Sequence, residues 1–107
     1  RAAEEEAAGA LASGRAAYAG ALEAFPLFAQ ARDEARRSLE LFRPLYRQGR
    51  QSVLEVLRAE DALAQSALAV IDARKGIASA WAGLRQGAGR LDAEGVAALE
   101  SSLEAAP

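Results

Sequence analysis

The stretch Tyr46-Arg47-Gln48-Gly49-Arg50-Gln51-Ser52-Val53-Leu54-Glu55-Val56-Leu57-Arg58-Ala59 interrupts two long helical patterns at a single point. Gly49 is suited to end a helix, because glycine enters the left-handed region without the Cβ penalty. Ser52 is a good N-cap, and Glu55 three residues later completes the pattern of a capping box. Two helical patterns this long, joined by so short a break, predict a long antiparallel coiled-coil hairpin with its tip at residues 48–51.

Outward from the tip, the second helix has a sustained seven-residue repeat. Val56, Leu63, Val70, Ile77 and Leu84 are all large and apolar, and Ala59, Ser66, Ala73 and Ala80 between them are all small. Such a repeat winds helices into a left-handed supercoil, and the small residues let a neighbour come close. Gly87-Ala88-Gly89 reads as the stop, giving a helix over about 52–87 that would be about 54 Å long. Asp92 then reads as the N-cap of a short helix over about 93–104.

The first helix, over about 2–47, repeats in the same way. Tyr18, Phe25, Arg32, Leu39 and Tyr46 form one row, and Ala21, Phe28, Ala35 and Phe42 form the other. Arg32 breaks the seam, with its stem packing and its head reaching solvent. Pro26 and Pro44 each remove a backbone donor, and a kink or a released hydrogen bond is expected there. The first ten residues, rich in alanine and carrying Glu4-Glu5-Glu6, favour helix but have little to pack against, so fraying is expected.

Composition narrows the function. Half of the 107 residues are apolar, but much of that share is alanine, with three Phe, two Tyr and one Trp. Alanine favours helix and buries little area, so the chain packs thin layers and no strand is expected. The sequence has no Cys and no His, which excludes disulfides, thiolate and imidazole metal sites, and Cys–His or Ser–His catalysis. Net charge is −2 without a basic stripe, which argues against nucleic acid as a partner. No apolar run approaches the roughly 20 residues of a membrane-spanning helix. The glycines of 83–89 follow no strand, so a phosphate loop is unsupported. Glu60-Asp61 has no ligand company for a metal. The pairs Asp33–Arg37, Glu40–Arg43 and Asp72–Lys75 read as solvent-face ion pairs worth a few tenths of a kcal/mol. No enzyme, cofactor or metal centre is expected.

A second apolar face lies beside the seam of the second helix: Leu57, Ala64, Ala67, Ile71, Ala78 and Trp81. A hairpin covers one seam per helix, so this face needs further neighbours, from the chain or from other subunits. An assembly of helices lying side by side is the expectation.

The tip and the second helix resemble the outer-membrane efflux protein (TolC-like) family. In that family a tyrosine, two residues, a glycine and a small polar residue mark the periplasmic end of a hairpin, followed by an acidic residue and a Val-Leu-x-Ala run. Here these are Tyr46, Gly49, Ser52, Glu55, Val56-Leu57 and Ala59, and the spacing holds through Leu63, Arg74 and Leu84 to Gly89 and Leu91. The tail from Leu91 to Leu99 is also similar, and the match covers about residues 30–104.

The resemblance implies a homotrimer whose subunits form an α-helical barrel across the periplasm below a β-barrel in the outer membrane of a Gram-negative bacterium. This chain would be the second hairpin and the segment after it, with the strands and a first hairpin in parts of the protein outside this sequence. It implies a passive exit duct for efflux or type I secretion, docked to a periplasmic adaptor (membrane fusion) protein and driven by an inner-membrane pump. Tyr46, Gly49, Arg50, Gln51 and Ser52 would then be the adaptor-docking tip, and Glu55 and Arg58 the tunnel entrance or gate. Glu55 matches a position that is often acidic in the family; Arg58 replaces a second acidic position and is placed to pair with Glu55 at i, i+3. Arg50 is bulkier than the residue usual after the tip glycine. Two other classes fit the same pattern: the hairpin of a periplasmic adaptor, and a structural coiled-coil oligomerisation segment. A lipid-surface helix fits less well, because the arginines are not gathered on one face.

Overall fold

In a computed structural model the chain is described over residues 1–105, and those residues contain no strand. Two helices account for nearly all of them: α1, Ala2–Arg47, and α2, Val53–Ala105. The all-helical expectation and the antiparallel hairpin are both present, with the reversal between Arg47 and Val53. The chain groups into two compact units, Ala21–Gly76 and Arg1–Gly20 with Ile77–Pro107.

The unit Ala21–Gly76 contains the turn and the core. Leu39, Val56 and Ala59 are buried together, with Phe42 and Leu63 packed against them, and Val70 is buried further along α2. These are seam positions of the seven-residue repeat. Ser66 and Ala73, the small members of the same seam, are partly buried, as are Ala21, Phe25, Ala35 and Arg32 on α1. Arg32, whose head is expected to reach solvent, is partly buried and turns its guanidinium to Asp33 Oδ1, donating at 3.2 and 3.3 Å. The seam departs from the repeat at two places. Phe28 is 42% exposed, with Ala29 partly buried beside it, and Tyr46 is 46% exposed, with Leu45 partly buried instead.

α1 runs through Pro26 and Pro44 without a break. Both prolines are exposed, so the carbonyls that lose their usual donors, those of Leu22 and Glu40, lie where water can serve them.

In the other unit, Ala7, Leu11, Gly14 and Tyr18 of α1 are partly buried, as are Ile77, Ala80, Leu84, Gly87 and Leu91 of α2. The Tyr18 and Trp81 rings meet at 5.5 Å between centroids. A Cβ built on Gly14 would touch Leu84 at 3.6 Å, and one built on Gly87 would touch Leu11 at 3.9 Å. No described residue of this unit is fully buried.

Gly87-Ala88-Gly89 is not a stop, and residues 93–104 are not a separate helix capped by Asp92. α2 continues to Ala105, and Gly49 is the only described residue with positive φ. The reason lies in the repeat itself: Gly87 is the next small residue after Ala80, and Leu91 the next large one after Leu84. Both take partly buried seam places, and packing there offsets the roughly 1 kcal/mol that a helical glycine costs.

Candidate functional site

The tip residues Tyr46, Gly49, Arg50, Gln51 and Ser52 fall at the reversal, and Glu55 and Arg58 on the first turns of α2. α1 ends in a Schellman motif. Gly49, at φ +72°, donates its N–H to the Tyr46 carbonyl at 2.9 Å, and Arg50 N–H donates to the Leu45 carbonyl at 2.7 Å. Gln48 N–H closes the last helical bond to Pro44 at 3.1 Å. Nothing lies within 4 Å of a Cβ built on Gly49, so conformation rather than space demands glycine here.

α2 opens with Ser52 as N-cap, its Oγ accepting from Glu55 N–H at 3.2 Å. The capping box is half formed. The Glu55 carboxylate accepts from Arg58 Nη1 at 3.2 Å, across the expected i, i+3 pair, rather than returning to the Ser52 backbone. Both partners are well exposed, so the pair adds only tenths of a kcal/mol and neutralises the carboxylate locally.

Three expected ion pairs are differently arranged. Asp33 meets Arg32 at 3.2 Å and Arg36 at 3.8 Å, not Arg37. Arg43 reaches across to Glu60 of α2 at 3.5 Å, not to Glu40. Asp72 and Lys75 form no ion pair among the described residues. The Arg43–Glu60 contact was available from the pattern: each residue directly follows a seam residue, Phe42 and Ala59, so the two flank the same side of an antiparallel pair. Phe25 carries the Arg74 guanidinium at 5.7 Å from its ring centroid, a contact that the repeat of large and small residues does not predict.

The second apolar face is exposed in large part. Leu57 is 54% and Ile71 47% accessible, and Ala64 and Ala78 are also exposed. Ala67 is partly buried, and Trp81 is half exposed with its ring tilted against that of Tyr18. Val53, Leu54 and Leu68 add to the exposed apolar surface of α2. Among the described residues no group of His, Cys, Asp and Glu could hold a metal ion, and no helix is long and apolar enough to cross a membrane. Compared with known protein families, curated proteins and solved structures, the chain finds no match in any of the three.

Proposed function

We propose that this chain is a non-catalytic assembly hairpin, and that its setting is a trimeric exit duct for efflux or type I secretion. The observation that carries the assembly role is the row Leu57, Ala64 and Ile71. In the unit Ala21–Gly76 these residues stand exposed at seven-residue spacing, although α1 already covers the adjoining seam. A periodic apolar row beside a filled seam is suited to another helix lying alongside.

The setting rests on the resemblance carried by Tyr46, Gly49, Ser52, Glu55 and the Val56-Leu57 pair, together with the reversal at Gly49. In it, the duct is passive, spans the periplasm below the outer membrane, and meets a periplasmic adaptor and an inner-membrane pump at the turn. Glu55 and Arg58 sit at the entrance as a pair, so the entrance presents less net negative charge than a ring of unpaired carboxylates would.

The test is sedimentation of the full-length protein carrying this chain, native and as the Leu57→Glu/Ile71→Glu double variant. A native trimer in the outer-membrane fraction that dissociates in the variant, with loss of export, is the expected result. A trimer away from the outer membrane would leave a coiled-coil oligomerisation segment, and a native monomer would remove the assembly role altogether.

A further inference from the structure

The surface around the turn joins apolar area to uncompensated positive charge. Tyr46, Val53 and Leu54 are each about half exposed. Val53 and Leu54 are consecutive in the first turn of α2, ahead of the row that begins at Leu57. Residues 40–61 balance four arginines, Arg43, Arg47, Arg50 and Arg58, against Glu40, Glu55, Glu60 and Asp61, but the turn itself, residues 46–52, holds Arg47 and Arg50 and no carboxylate. Of the flanking carboxylates, Glu55 is engaged by Arg58 and Glu60 by Arg43, and Asp61 accepts from Gln65. The side chains of Arg47 and Arg50 are exposed and make no ion pair or hydrogen bond among the described residues.

Arg47 has a local rationale, since a cation in the last turn of α1 complements the helix dipole. Arg50 has none. It occupies the position after the Schellman glycine, where an apolar residue usually packs back on the helix, and it stands in solvent instead.

We infer that the turn is a docking surface for an acidic, apolar-faced helical segment of another protein. Its apolar side packs on Val53, Leu54 and Tyr46, and its carboxylates pair with Arg47 and Arg50. This rests on the proposed docking at the turn and adds the sign of the partner's charge. Apolar contact supplies most of the affinity, and the two arginines supply orientation and encounter rate. Two uncompensated arginines are too few to hold a phosphate backbone against the net negative remainder of the chain. An anionic lipid surface would call for a basic face along a helix, not one basic end.

The test places a photoreactive benzoyl-phenylalanine at the exposed Gln48 of the full-length protein in cells. The expected result is a protein adduct whose cross-linked peptide, located by mass spectrometry, comes from a segment rich in Asp and Glu. Its yield should fall about tenfold in Arg47→Glu/Arg50→Glu and persist in Arg47→Lys/Arg50→Lys. Lysines in place of the partner's carboxylates should restore it in the Glu variant. Arg50→Glu alone, which keeps the Arg47 cation in the last turn of α1 and the backbone N–H bonded to Leu45, should lower the yield in the same direction, and it answers any loss of helix in the double variant. An adduct on a neutral or basic segment, or a yield indifferent to charge reversal, would overturn the acidic partner while leaving docking at the turn in place. Adducts only to lipid, to nucleic acid or to another copy, or no adduct at all, would overturn both.

Discussion

At Gly49 the backbone sits at φ +72° in open space, with its own N–H and that of Arg50 closing the end of α1. A Cβ there meets no neighbour, so the cost of Gly49→Ala is conformational, about 1 kcal/mol. Gly49→Pro costs more, because it removes the N–H bonded to Tyr46 and fixes φ near −65°. The predicted outcome is that Gly49→Ala lowers the stability of the full-length protein by about 1 kcal/mol in urea unfolding. Gly49→Pro should abolish export with the trimer still present in sedimentation. Export that survives Gly49→Pro would take the turn out of the mechanism.

The second helix tests a different glycine. Gly87 sits at a small seam position with helical φ, and the contact its Cβ would make with Leu11 is an ordinary 3.9 Å. If α2 passes straight through, Gly87→Ala should stabilise by about 0.5–1 kcal/mol, the helix-propensity difference between the two residues. A glycine that ended the helix in the left-handed region would give the opposite sign. Thermal unfolding with circular dichroism distinguishes the two. The same logic explains why the pair Gly87 and Gly89 misleads: local propensity favours a stop, and the seam that continues through Gly87 to Leu91 outweighs it.

For the molecule as a whole, burial is the limiting quantity. Four described residues are buried, Leu39, Val56, Ala59 and Val70, all in one unit, and no large side chain is completely enclosed. Ordering each residue costs roughly 1–2 kcal/mol of backbone entropy, and so few buried groups leave a large share of that unmet without further neighbours. The isolated 107-residue chain should therefore melt at a temperature that rises with its concentration, as expected when folding and association are coupled. A sharp transition independent of concentration across a hundredfold range, with a monomeric mass, would show the chain to be self-sufficient.

The sequence by itself determined the helical character, the place of reversal and most of the seam, because each is written in local terms. A glycine and a serine mark the turn, and Val56, Leu63 and Val70 keep a strict period. It also placed the Glu55–Arg58 pair, a local i, i+3 contact, although the equally local Glu40–Arg43 and Asp72–Lys75 pairs do not form among the described residues. Only the tertiary structure decided that α2 carries on past Gly87, that Arg43 turns to Glu60 and that Trp81 leans on Tyr18. In each case two local choices were open, and which one wins depends on what the opposite helix presents at that height.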